Sequence, residues 1–432
     1  KKPSFWVATV RLQILFTFWL ATTAMAETNW PAFRGPTGQG RTEETSLPIT
    51  WSETDNVRWK APIPGKGWSS PVIWGDQIWM TAAVEHAPSE DEKSALLEGE
   101  KQPGQRQVAK TISLRAVCID RHSGDVTQDI ELFSVTDPDP IHLLNSYASP
   151  TPVIEEDRLY CHFGTYGTAC LNTSKAEVIW KQRLPLQHAV GPGSSPVLWE
   201  DLLVLVCDGM ETQYVAALDV ATGEPRWKTL RPPMEGDNGD FHKAFSTPLV
   251  VDWNGSAQLL VPGAQWFVAY APKSGEMLWH INHGKGFSNV AAPVFQDGIS
   301  YFITGFTKPE LWAIPIRASG RLSTNHVLWE QKKQISKKSS PAIIDNCIYL
   351  VEDSGVLSCV DIDSGDIIWR ARLGGNFSAS PVFNANQMYF CSHEGKTFVV
   401  RPNADKYDLL AENQLDGQLM ASPVPSDRAI YI

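Results

Sequence analysis

The sequence predicts an all-β fold, an eight-bladed β-propeller of four-stranded antiparallel blades, and three observations carry the prediction. A phrase of one small residue, Pro and an apolar pair occurs eight times. A second phrase, Asp followed by Ser/Thr-Gly and then Trp, recurs between copies of the first. The chain also holds 17 Trp against 7 Met in 432 residues, an excess that suits a structural slot filled once per repeat.

The first phrase starts at Ser70, Thr151, Ser195, Thr247, Ala292, Ser340, Ser380 and Ser422, and these starts define units 1 to 8. Successive prolines in it, from Pro71 to Pro423, lie 81, 44, 52, 45, 48, 40 and 42 residues apart. All but the first interval match the length of a propeller blade, about 40 to 50 residues. The long interval implies an insertion at 84–110 in unit 1, rich in Glu, Lys, Gln and Ser, which predicts a solvated excursion.

The second phrase is clearest at Asp219 to Trp227 and Asp361 to Trp369. It predicts strand, tight turn, strand. The Asp carboxylate accepts from turn amides, Gly takes the positive φ, and Trp fills the gap between adjacent sheets. Trp180 and Trp329 survive where the turn phrase has drifted. An Asp that recurs at the same place in successive units is a turn cap, because a catalytic acid is needed once. The intervening segments are short and rich in Val, Ile, Leu and Tyr, and none sustains a helical period.

The ends predict how the ring closes. Val57-Arg58-Trp59-Lys60 matches the end of a unit, whereas unit 8 supplies only first strands, so an N-terminal strand is expected to seal an incomplete last blade. Pairing them would remove exposed sheet edges. Before that strand, Lys1, Lys2 and Arg11 precede an apolar run from Leu12 to Ala26 that ends Ala24-Met25-Ala26. This is the pattern of a secretory signal peptide (1–26) cleaved after Ala26, too short for a membrane span. The expected organisation is signal 1–26, N-terminal extension 27–55 and propeller 56–432, in the periplasm or secreted, with no membrane span after cleavage.

Net charge and cysteines exclude several functions. A charge of −11 without a basic stripe argues against nucleic acid, and Lys332, Lys333, Lys337 and Lys338 read as a solvated loop. The seven cysteines lack C-x-x-C spacing. Cys161 with Cys170 and Cys347 with Cys359 flank turns and could face across hairpins, although buried free thiols are the commoner use of such residues.

These repeats resemble the PQQ-like (pyrroloquinoline quinone repeat) superfamily from about Asn56 onward, and Trp30-Pro31-Ala32-Phe33-Arg34-Gly35-Pro36 with Gly38 and Gly40 resembles the opening of secreted bacterial members. The resemblance implies two activities, quinoprotein dehydrogenases and the BamB outer-membrane assembly factor. The dehydrogenases hold their quinone beside adjacent cysteines and Ca²⁺, and no Cys-Cys is present. PQQ and calcium are therefore disfavoured and no cofactor is expected. The weak calcium candidate is Glu235, Asp237, Asn238 and Asp240, which lacks EF-hand spacing and reads better as a polar loop. BamB-like assembly is disfavoured by the absence of a lipoprotein Cys after Ala26.

Loops entering the innermost strands gather on one face of a propeller. The ligand-binding candidates on those loops are Trp68, His142, Asn145, Tyr147, His188, His242, Lys243 and Asn376. Aromatic surfaces beside Lys, His and Asn suit a polar or anionic small molecule, a peptide or a polysaccharide. No catalytic residue is assigned, since G-x-S-x-G, H-E-x-x-H and P-loop patterns are all missing. The expected function is a non-catalytic, extracytoplasmic binding or scaffold protein that docks an unknown protein, peptide or polysaccharide at the channel mouth. A PQQ/Ca-dependent oxidoreductase and a BamB-like assembly factor are the alternatives.

Overall fold

A computed structural model describes residues 29–432; the signal-peptide reading falls outside them. Units 1 to 7 each form an antiparallel sheet whose strands follow chain order. Unit 3 is typical, with strands Val197–Trp199, Leu202–Asp208, Gln213–Asp219 and Pro225–Leu230. The second strand is buried throughout and the fourth alternates with solvent, as expected when one edge of a sheet faces an axis and the other faces water. Unit 4 gains a fifth strand, because Gly320–Leu322 from unit 5 pairs parallel with Met277–Asn282. Unit 8 has two strands, Val424–Ser426 and Ala429–Tyr431. No helix among the described residues is long and apolar enough to cross a membrane.

The small residue in the first phrase has a definite job. Its hydroxyl accepts the backbone N–H of its counterpart in the preceding unit: Ser70 to Thr151, Thr151 to Ser195, Ser195 to Thr247, Ala292 to Ser340, Ser340 to Ser380 and Ser380 to Ser422, at 2.9–3.0 Å. The Ser422 amide then donates to the Ser70 hydroxyl at 3.1 Å, so the belt returns to its start. Only the Thr247 amide lacks this link, since Ala292 offers no oxygen.

The outer rim is locked by the second phrase. Trp180, Trp227, Trp329 and Trp369 each donate the indole N–H to a carbonyl in the next unit, those of Val220, Pro272, Ile362 and Asn403, at 2.9–3.0 Å. The neighbouring turn is capped as expected, with Asp361 Oδ1 accepting from the Asp363 and Ser364 amides. Gly365 has φ +77° and lies against the Trp329 ring, where an added Cβ would come within 2.4 Å of the indole. Both its conformation and its missing side chain are therefore required. Trp279 departs from the pattern: it is fully buried within unit 4 and bonds Gln258.

Buried apolar clusters lie between successive sheets, for example Leu203, Leu205 and Tyr214 of unit 3 against Tyr160 and Cys170 of unit 2. Three expectations need correction. Residues 57–60 form no strand: Trp59 packs on Tyr431 at 6.0 Å and donates to the Arg121 carbonyl at 3.2 Å. The excursion is narrower than 84–110, because residues 77–86 pair continuously with 111–120. It also contains a helix, Glu90–Leu96, started by the Ser89/Glu92 capping box. Its seven residues are too few to show a period in sequence. All seven cysteines are buried free thiols. Cys170 pairs opposite Tyr160 and Cys161 opposite Ala169, so Cys161 and Cys170 face opposite sides of their sheet.

Candidate functional site

The extension decides which end of the channel is open. From Trp30 to Glu44 the chain runs across one face of the belt and bonds unit after unit. Trp30 exchanges two backbone bonds with Ile73, and the Pro31 carbonyl accepts from Ile154. Gln39 accepts from the Phe295 amide, Gly40 from Phe383, and Glu44 from the amides of Asp427 and Arg428. Arg34, 1 % exposed, donates to the Gln39 and Pro341 carbonyls at 2.6 and 2.7 Å. This strap leaves a cup whose floor includes Phe33 and the belt residues Ser70, Thr151, Ser195, Thr247, Ser380 and Ser422.

The cup has a volume of about 1070 Å³. Its walls carry Trp68, Phe245 and Phe287, with Lys243, Lys338 and His142. The insertion contributes Gly99 to Gln102, Gln105 and Arg106. It is held there because Arg106–Gln107 pairs with Ile141–His142 and Gln107 donates to the Asn145 carbonyl at 3.0 Å. The excursion read as merely solvated is thus part of the site. Lys338 corrects the solvated-loop reading in the same way, lining the cup while pairing with Asp353 at 3.4 Å.

Four of the eight predicted residues reach the cup: Trp68, His142, Asn145 and Lys243. Asn145 also fastens the loops of units 2 and 3, donating to the Val190 and Pro192 carbonyls. The other four lie elsewhere, each for a local reason. Tyr147 is fully buried, its hydroxyl donating to the Asp139 carbonyl. His188 is half-buried and accepts the Thr165 amide through Nε2. His242 turns to the Glu235 carbonyl, and Asn376 donates to Glu394. Proximity to the Ser-Pro phrase puts a residue near the mouth, but loop conformation chooses which side chains face it.

Charges of both signs line the cup, Lys101, Arg106, Lys243 and Lys338 against Glu100, Asp139 and Asp240. Burial lowers the His142 pKa, and Arg106, Lys243 and Lys338, from three separate segments, lower it further. Asp240 is held below the usual carboxylate range chiefly by its bond to Lys243 at 2.6 Å. That pairing commits one member of the suggested calcium set. Asn238 caps the short helix Gly239–Phe241, and Glu235 uses its main chain to meet Gln265 and His242. Among the described residues no three His, Cys, Asp or Glu side chains are placed to share a metal ion. The rim is apolar, with Leu143, Leu144, Phe241 and Phe306 exposed.

Known proteins now place the chain. No curated protein matches it. In solved structures, a europium-containing methanol dehydrogenase is 10% identical with a TM-score of 0.62, covering 92% of this chain and 87% of its own. The quinohemoprotein alcohol dehydrogenase ADHIIG of Pseudomonas putida HK5 is 12% identical with a TM-score of 0.58, covering 92% and 74%. BamB of Moraxella catarrhalis is 17% identical with a TM-score of 0.50, covering 66% and 79%. At such identities the likeness is one of fold. The sequence profile described as "Outer membrane protein assembly factor BamB" matches three overlapping stretches, 74–229, 144–371 and 263–420. The chain belongs to this family, within the PQQ-like β-propellers.

Proposed function

We propose that this protein is a non-catalytic, extracytoplasmic binding propeller of eight blades that receives a ligand or a partner's side chains in the cup. The observation that carries the reading is the cup itself. It is closed below by the strap, walled by aromatic and basic side chains, and of a size that suits a small-molecule or chain-end site. Eight phrase starts and the return of the belt from Ser422 to Ser70 support the count of eight. A quinone and calcium are disfavoured by the residues present, because Asp240 is tied to Lys243 and no two cysteines are adjacent in the chain. No reaction step is assigned.

The test is a thermal-shift screen of saccharides, peptides and PQQ with Ca²⁺, run on wild type and Trp68→Ala. A ligand that raises Tm only in wild type supports the reading. Shifts identical in both proteins place binding outside the cup, and alcohol-dependent dye reduction with PQQ and Ca²⁺ overturns the non-catalytic reading. A BamB-like assembly role is the second reading, favoured by the family match and by the apolar rim at Leu143, Leu144 and Phe306. Its test is co-purification with the proteins of outer-membrane β-barrel assembly.

A further inference from the structure

We propose that the cup takes the acidic end of a saccharide chain, an inference that rests on the cup being a binding site. The first ground is the donor inventory of the floor. A hydroxyl that accepts a backbone N–H still has its own proton to give. Ser70, Thr151, Ser195, Thr247 and Ser422 all accept such a bond and all line the cup, so a ring of O–H donors is left for a ligand rich in acceptors. The corresponding main-chain N–H groups, that of Thr247 excepted, are spent around the belt. An extended peptide therefore meets no free ladder at this level, whereas sugar and acid oxygens meet the donors they need.

The second ground is charge. Lys101 and Arg106 of the insertion, with Lys243 and Lys338 on the loops that lead into units 4 and 6, outnumber Glu100, Asp139 and Asp240 in one cavity of a protein whose net charge is −11. Three of them meet a carboxylate: Arg106 with Glu100 at 2.9 Å, Lys243 with Asp240 at 2.6 Å and Lys338 with Asp353 at 3.4 Å. Lys101 is exposed at the mouth.

The third ground is shape. The half-buried rings of Trp68 and Phe287 line the cup as apolar partners for the C–H faces of sugar rings. The strap closes the far end, so a chain can enter but cannot thread through. A terminal residue bearing a carboxylate or sulfate ester meets all three features, entering acid first.

The experiment is calorimetric titration with trigalacturonate, a sulfated disaccharide, a neutral trisaccharide and a tetra-aspartate peptide. Binding of an acidic saccharide at least tenfold tighter than the neutral one, weakened by salt and by Lys101→Met/Lys338→Met, is the expected result. The two acidic sugars distinguish carboxylate from sulfate as the recognised group. Equal affinity for acidic and neutral sugars, tighter binding of the peptide, or affinity untouched by the double variant overturns the proposal. A neutral sugar or peptide whose binding is lost in Trp68→Ala would refute the acidic ligand and leave the cup reading standing. Should no probe, acidic or neutral, bind, the acidic-end proposal fails, and with no Trp68-dependent ligand from the wider screen the cup reading fails too. Lys101 is exposed, so its replacement leaves folding intact, and an unchanged Tm of the double variant confirms that a lost affinity is local.

Discussion

The two faces of the ring are stabilised by different chemistry. On the strap face, contacts are largely main-chain, as where Trp30 meets Ile73 and Gly40 meets Phe383. On the mouth face, loops are held by buried ionisable groups. Asp208 and Arg231 form a two-pronged ion pair at 3.0 and 2.7 Å, with side chains 0 and 1% exposed. Nearby lie the buried imidazoles of His162 and His283 and the half-buried one of His188. Main-chain bonds do not titrate. A face built from buried charge and neutral imidazole is adjustable and fragile, which suits the side where a ligand enters.

Acidification should separate the faces most strongly. Burial lowers the pKa of His188 and His283 to about 4 and that of His162 to about 3, with His188 adding to the shift of His162. The neutral form is favoured in the fold, so the unfolded chain takes up protons first. Stability is full above the unfolded value near 6.5 and is lost as pH falls from there toward 4, at no more than about 1.4 kcal/mol per pH unit for each imidazole. Urea midpoints should drop steeply below pH 6.5, with hydrogen exchange rising first in loops around 162–188 and 263–286. Uniform exchange over both faces would contradict the contrast.

Arg231→Met should cost about 3–5 kcal/mol, because it strands the Asp208 carboxylate in the interior. Asp208→Leu/Arg231→Met should recover much of that loss in urea denaturation. On the opposite face, Trp30→Ala removes a side chain 3% exposed and should cost about 3 kcal/mol. Limited proteolysis should then cut within residues 29–48, while the pH profile stays that of wild type. Smallest is Trp329→Phe at the rim, which leaves the Ile362 carbonyl unpaired for about 1 kcal/mol and moves neither the pH profile nor ligand binding.

Much of this architecture was legible because it is periodic. The Ser-Pro and Asp-Gly-Trp phrases recur where every unit faces the same problem: bonding the next unit at the axis and at the rim. The site was only half legible because it is made where the repeat is broken. Trp68, His142, Asn145 and Lys243 precede a Ser-Pro phrase and could be found by position. Gly99 to Arg106 sit in a stretch whose composition signals only solvation, and nothing local to Phe33 marks it as a floor. Tyr147 and His188 carry the right chemistry in the right loops, yet their rings turn inward. One trace of the strap was visible, the Gly-rich run from Trp30 to Gly40, whose glycines let backbone approach backbone. Gly40 shows why, since a Cβ there would come within 2.7 Å of the Pro381 carbonyl.

The sequence by itself determined the repeating sheet, the Trp rim and the small hydroxyl residues at the axis, because each answers a contact renewed every 40 to 50 residues. Only the tertiary structure decided which end of the channel is sealed and which side chains look into it. Those outcomes depend on single contacts between segments hundreds of residues apart, such as Arg34 with Pro341, and no local pattern encodes a contact made once.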